Sequence, residues 1–305
     1  MTALGIQIKI LYDARRADER CSRWFEKSKR KSKEATVIII GEKINGSIPK
    51  CGAAIAARDE EYIREMARIQ DHYGATFIDC CASVNENELE TMEWMINLIM
   101  EETDLPISID SPDPQVCVDA MKFCGDRVGI INSVSGEGDK IDIVFPKIAD
   151  TKWGCVALLS DDTGIPKTVE DRMRVFHNIM DRAKEFGISP DRLYIDPLVE
   201  TLGANPETLE TCCEVTRQIK AEYPTIHVAG ALSNVSFGLP GRKYINIPFM
   251  TLVMAAGMDG AIMDPTSRDM NGVMHATEAL LGEDEYCMEY IDAYRENLFG
   301  PLNRD

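Results

Sequence analysis

The sequence predicts an α/β fold, a single (β/α)8 TIM barrel carrying an N-terminal extension. Three observations predict it: eight short apolar runs recur along the chain, each ends on a carboxylate, amide or hydroxyl, and each is followed by a helix-like stretch. Near-continuous apolar runs of this length suit parallel strands buried on both faces. A chain of 305 residues is within the usual range for one such barrel. We place the barrel over residues 36–305 and the extension over residues 1–35.

The strands follow in order. Residues 37–41 lead into Glu42 and Asn45, residues 76–78 into Asp79, and residues 105–109 into Asp110. Residues 128–131 lead into Asn132, 155–159 into Ser160 and Asp161, and 193–195 into Asp196. The last two runs, 226–232 and 260–263, end at Ser233 with Asn234 and at Asp264. Between them, residues 60–73 place Tyr62, Met66, Ile69 and Tyr73 at helical spacing, and residues 86–101 do the same with Leu89, Met92, Met95, Ile96 and Ile99. Pro114 opens a helix to residue 123, a position where proline is favourable. Residues 140–148, 168–186, 206–222, 246–256 and 273–281 complete the alternation, three of them closed by Gly187, Gly257 and Gly282. A final helix over residues 285–298 covers the side or bottom of the barrel.

Bulk properties narrow the function. Net charge of −18 argues against general nucleic-acid binding, because phosphate backbones demand local positive charge. No apolar stretch approaches the ~20 residues that span a bilayer, and the opening residues hold no apolar run with a small-residue cleavage site, so we do not expect secretion. The ten cysteines form no Cys-x-x-Cys pair, which reads as reduced thiols in a cytoplasmic protein. The four histidines stand apart, and we expect no bound metal. Residues 1–35 differ from the rest, with ten Lys/Arg against five Asp/Glu and no apolar repeat.

In a closed barrel, strands three and six lie on opposite walls, so Asp110 and Asp196 can point into one mouth. A buried carboxylate needs partners or it takes up a proton. A ligand presenting two adjacent N–H donors would supply a bidentate partner. Asn132 and Asn234 add donors and acceptors together. Such a ring suits a flat, nitrogen-rich heterocycle better than a phosphate, which asks for glycine-rich loops and backbone N–H groups. The competing reading is that Asp110 and Asp196 only brace their own loops.

Six segments then carry a resemblance: GEKING at 41–46, IDS at 109–111, INS at 131–133, TGIP at 163–166, YIDPL at 194–198 and LSNVS at 232–236. In that order they resemble the methyltetrahydrofolate:corrinoid-protein methyltransferases of the pterin-binding, dihydropteroate-synthase-like barrel superfamily, over residues 37–290. The resemblance implies methyl transfer between N5 of tetrahydrofolate and the cobalt of a corrinoid, in anaerobic one-carbon metabolism or demethylation. It implies pterin contacts from Glu42, Asn45, Asp79, Asp110, Asn132, Asp196, Ser233 and Arg242, with Asn234 at the reacting nitrogen. It further implies a homodimer. The chain holds no Asp-x-His-x-x-Gly cobalamin signature, so the corrinoid is expected on a separate protein docking over the barrel mouth. Arg242, Lys243 and Arg268 are candidates for the folate tail or that partner. Two departures stand out: Cys80-Cys81-Ala82-Ser83 follows Asp79 where the family often has Asn-Gly, and the loop at 160–162 is unusually acidic. The alternatives are a dihydropteroate synthase, which usually has a lysine where Ser233 and Asn234 stand, and a non-catalytic pterin-binding protein.

Overall fold

The computed structural model describes residues 37–83 and 87–302; the extension expected over residues 1–35 lies outside them. Eight parallel strands close in sequence order: β1 Ile38–Asn45, β2 Phe77–Cys81, β3 Ile107–Asp110, β4 Ile130–Gly136, β5 Gly154–Asp161, β6 Leu193–Asp196, β7 His227–Ala231 and β8 Gly260–Met263. Strand β8 returns to β1, with Ile38 opposite Gly260 and Gly41 opposite Met263. All eight strand runs read from the sequence are present. Strands β4 and β5 continue beyond their expected ends, to Gly136 and Asp161.

The outer ring comprises α1 Pro49–Ala56, α2 Glu60–His72, α3 Glu88–Glu102, α4 Pro114–Ala120, α5 Lys140–Ile148, α6 Val169–Glu185, α7 Thr208–Glu222, α8 Lys243–Ala255, α9 Arg268–Leu281 and α10 Met288–Arg295. Local chemistry sets the ends. The Asp59 carboxylate accepts from the Tyr62 N–H at 3.1 Å and starts α2. Thr168 accepts from the Asp171 N–H at 3.0 Å and returns a hydroxyl bond to its carboxylate at 2.8 Å, starting α6. Gly282, at φ 80°, ends α9 in the left-handed region. Helix α1 escapes the sequence reading because it is an extra element between β1 and α2. The face of α2 also differs from the expected one. Its fully buried positions are Ile63, Ala67 and Gln70, one residue round from Tyr62, Met66 and Ile69, which flank the seam half-buried.

Strand parity divides the apolar residues into two cores. One parity, including Ile39, Ile78, Ile109, Ile131, Cys155, Ile195 and Val228, faces outward and packs under the helices. The other, Ile40, Phe77, Ile130, Val156, Tyr194 and Ala229, fills the barrel interior. Because side chains alternate at a period of two, Asp79 follows Phe77 and Asn132 follows Ile130 on the inner face, while Glu42 lies two places beyond Ile40 at a bulge of β1 between Gly41 and Ile44. Two places beyond Tyr194 is Asp196, and beyond Ile262 is Asp264. A polar layer therefore sits directly on an apolar plug.

The loop after β6 is braced from within. Arg172 of α6 has no solvent exposure. It donates to the Pro166 carbonyl at 3.1 Å, to the carbonyls of Pro197 and Leu198, the latter at 2.9 Å, and to Glu200 at 2.8 Å. Leu198 carries φ 64° without being glycine, a conformation that needs such support. Removing one partner of a buried ion pair is strongly destabilising. We expect Arg172→Met to lower stability by about 3 kcal/mol and the Tm by about 10 °C, measured by thermal denaturation. A change below about 2 °C would mean the loop holds itself.

Candidate active site at the barrel mouth

Three elements supply the centre of the site. Asp79 at the inner face of β2 is buried. Its Oδ1 accepts the Ser108 hydroxyl at 2.5 Å and the Asn132 amide at 3.2 Å. Asp110 lies opposite Cys81 and Asn132 in the strand register and is hydrogen-bonded to Asp79 and Cys81. Burial pushes both carboxyls above their ordinary range, and for Asp79 the neighbouring Asp110 adds to it. Two acids this close in a desolvated site hold a proton between them.

Asp196 stands across the barrel on β6, almost fully buried. Burial raises its carboxyl to about 6, against the pull of the N–H groups of Leu198 and Ala231 and of Arg172. The Leu198 N–H reaches Oδ1 at 2.8 Å. Gly230 on β7 makes room: a Cβ there would meet Val199 at 3.2 Å and Asp196 Oδ1 at 3.3 Å. Glu42 is raised to about 7, first by burial and then by Asp264, with Lys43 and Arg242 opposing. Lys43 itself is paired with Asp264 at 2.9 Å.

Asn234 lies in the 3-10 turn Leu232–Ser236 directly after β7. Its residue is exposed at the mouth. The turn is held by Arg242, which donates to the Ser233 carbonyl at 2.6 Å and the Ser236 hydroxyl at 3.0 Å. A cavity of about 240 Å3 opens between this turn, β1 and β8, lined by Glu42, Ser233, Asn246 and Asp264 among others.

Of the residues expected to form the site, the structure joins Asp79, Asp110 and Asn132 by direct bonds and brings Glu42 within their electrostatic reach. Asp196 and Asn234 occupy the opposite side of the same mouth. Asn45 stands differently: its side-chain oxygen accepts the Ser47 N–H at 2.8 Å and hydroxyl at 2.6 Å, so it shapes the loop into α1. Arg268 donates to the carbonyls of Asn297 and Gly300, and Lys243 pairs with Asp269. The acidic loop after β5 is internally occupied. Asp161 takes the Thr163 N–H at 3.0 Å and Arg174 at 3.0 Å, while Asp162 takes the Gly138 N–H at 2.9 Å.

Sequence reading missed Ser108 and Cys81 as members of the cluster. A signal for both existed, since strand parity aligns Ser108 with Asp110 and Cys81 with Asp79. Among the described residues, no group of three or more His, Cys, Asp or Glu side chains is arranged to hold a metal ion. No helix among them is long and apolar enough to cross a membrane.

A closed barrel whose C-terminal strand ends present acids and amides over an apolar floor defines a binding site for a flat, donor-rich ligand. The model of the pterin binding enzymes matches residues 50–264, and the chain belongs to that family. It is 44% identical over 269 residues to methylcorrinoid:tetrahydrofolate methyltransferase from Eubacterium limosum, covering 87% of this chain and 99% of that one. It is 28% identical over 247 residues to methionine synthase from Mycobacterium tuberculosis, covering 76% of this chain but 21% of that longer protein. Dihydropteroate synthase from Xanthomonas albilineans, solved in complex with 7,8-dihydropteroate, superposes with a TM-score of 0.58 at 19% identity, over 82% of this chain and 94% of that one. At that identity the likeness is one of fold.

The raised Asp196 carboxyl gives a sign to the pH response. Its pKa goes from 3.8 when solvated to about 6 when folded, so the folded protein binds the extra proton between those values and stability falls as pH rises through them. In Asp196→Asn the drop in unfolding free energy between pH 4 and pH 7 should shrink by about 2 kcal/mol, read from denaturant titrations. An unchanged drop would show that Asp196 is not desolvated.

Proposed function

We propose that this chain is a methyltransferase that moves a methyl group between N5 of tetrahydrofolate and the cobalt of a corrinoid carried by a separate protein. The observation that carries the reading is the 44% identity extending through 99% of a relative named for methylcorrinoid and tetrahydrofolate. The geometry supports it. A pterin presents adjacent N–H donors along one edge, and neither Asp196 nor the Asp79–Asp110 pair makes an ion pair with a buried cation, although Arg172 acts on Asp196 from a distance. Pterin N–H groups add donors to the few these acids already have, so ligand and pocket correct each other's electrostatics.

The methyl passes by in-line displacement, with no protein nucleophile required. When N5 attacks methyl-cobalt, the cobalt–carbon electron pair returns to cobalt, Co(III) becomes Co(I), and N5 gains positive charge. Asn234 accepts a hydrogen bond from protonated N5 through its amide oxygen and donates to neutral N5 through its NH2. It can therefore follow the nitrogen through the whole displacement. Orientation of the two reactants at the mouth supplies much of the remaining rate. Asp110, Asn132 and Asp196 hold the ring, with Asp79 fixing the pose of Asn132. Glu42 and Ser233 border it, and Arg242 sets the turn that presents Asn234. Asn45 contributes through the loop it shapes.

The finer reading places the enzyme in the cytoplasm as a homodimer serving anaerobic one-carbon metabolism or demethylation, with the corrinoid protein docking over the mouth. The dihydropteroate synthase alternative rests on fold likeness at 20% identity or below and lacks the expected lysine at Ser233 and Asn234.

Anaerobic mixing with tetrahydrofolate and methylcobalamin should produce the cob(I)alamin spectrum. Turnover of a pterin pyrophosphate with p-aminobenzoate instead would reject the reading. Asn234→Ala should lower kcat by about 100-fold while tetrahydrofolate affinity falls far less. Equal losses in both would point to a non-catalytic pterin-binding protein.

A further inference from the structure

The displacement leaves a proton on N5 that the mechanism must place. We propose that Glu42 takes this proton, and that the cavity between β1, β8 and the turn after β7 is its route to solvent. The inference rests on the methyltransferase reading above.

Three independent features converge. Glu42 stands two residues beyond Ile40 of the apolar plug, at the bulge of β1 between Gly41 and Ile44, and within electrostatic reach of Asp79 and Arg242, which places its carboxyl at the ligand space. It lines the same cavity as Leu232 and Ser233, the residues immediately before Asn234. That cavity, about 240 Å3, has room for several waters. Asn246, a further lining residue, has a buried Oδ1 with no hydrogen-bond partner among the described residues. A buried carbonyl acceptor of this kind calls for a donor, and a water chain from Glu42 supplies one.

The charges around Glu42 suit a group that cycles its proton. Lys43 follows it on β1, Asp264 approaches from the end of β8, and Arg242 reaches over from the loop after β7. Asp79 faces it from β2, and Lys243 lines the cavity from α8. Burial and Asp264 favour the neutral acid, whereas Lys43 and Arg242 favour the carboxylate, and the balance sets the group to about 7. A base so placed accepts and releases a proton near neutral pH with little bias. The Asp79–Asp110 pair is less suited, because Asp79 is sealed by Ser108 and Asn132.

The step balances. N5–H attacks the methyl carbon, the cobalt–carbon pair stays with cobalt, and N5 becomes a protonated tertiary amine. Glu42 carboxylate removes that proton, leaving neutral methyltetrahydrofolate, and the proton passes through the cavity to solvent. In the opposite direction Glu42 as the acid protonates N5 before the methyl leaves.

The test compares wild type, Glu42→Gln and Glu42→Asp in methyl transfer from methylcobalamin to tetrahydrofolate, across pH 5.5 to 8.5, with tetrahydrofolate affinity measured beside it. Wild-type kcat should rise with pH to a plateau through about 7, the value at which Glu42 titrates. Glu42→Gln should lose about 100-fold in kcat, lose that rise, and bind tetrahydrofolate within about threefold of wild type, since the amide preserves shape and polarity. Glu42→Asp should recover part of the rate together with the rise, showing that a carboxylate is what the step requires. A Glu42→Gln enzyme that keeps the pH rise, or that loses affinity as much as rate, overturns the assignment. Wild-type turnover in the same assay reports on the parent reading, so its absence would sink both and its presence isolates Glu42.

Discussion

Everything at the mouth depends on one constraint, the two-residue alternation of side chains along strands that are closed into a ring. Ile40, Phe77, Ile130, Val156 and Tyr194 point inward and pack on one another, which removes water from beneath the next inward layer. Asp79, Asn132 and Asp196 belong to that next layer by parity alone, and Glu42 joins it at the bulge of β1 between Gly41 and Ile44. Their desolvation is therefore built into the fold, and so are the upward shifts of the carboxyls. A one-residue slip in any of these strands would turn the acid out towards the helices.

The strands were legible because both their faces are buried, which writes them as unbroken apolar runs, and because each run stops at a polar residue. The helices were legible where a cap, a proline or a closing glycine marked an end, as at Pro114 and Gly282. The failures have physical causes. Helix α1 is an extra element between β1 and α2, where α2 already completes the strand–helix alternation, and its Pro49 is not joined to an apolar periodic stretch. On α2, Tyr62, Met66 and Ile69 are larger and more apolar than Ala67 and Gln70, so composition favours the wrong stripe. The real seam uses Gln70 because its oxygen accepts the Lys43 N–H at 3.0 Å and fixes the course of β1, a bond no hydropathy pattern encodes.

The site was legible at the level of which strands contribute, and less so at the level of which side chains meet. Asp110 reads as a ligand-facing acid from its place at a strand end. That Asp79 touches it, with Ser108 and Asn132 closing over Asp79, depends on register between β2, β3 and β4, which one sequence does not specify. Arg172 was invisible for the opposite reason. Within α6 it looks like any solvated helix arginine, yet it is fully buried against the loops after β5 and β6. Asn45 looked like a pocket residue, and its bonds to Ser47 belong to the local loop chemistry that asparagine commonly provides.

The charge balance of the pocket ties binding to chemistry. Asp79, Asp110, Asp196 and Glu42 are all raised, and none makes an ion pair with a buried cation; Lys43 and Arg242 act on Glu42 from half-buried and exposed positions. Before ligand arrives, burial raises the proton affinity of all four, and neighbouring carboxylates add to it for Asp79, Asp110 and Glu42. N–H donors from a heterocycle stabilise the carboxylates, lower their proton affinity and shift protons outward. In the proposed reaction the acids that only hold the ring complete that change on binding and stay ionised through the displacement. Glu42 differs because its nearest charges are of both signs and act from the rim. Under the proposed assignment its protonation follows the charge at N5 during the reaction, whereas that of the ring-holding acids is set once the heterocycle is seated.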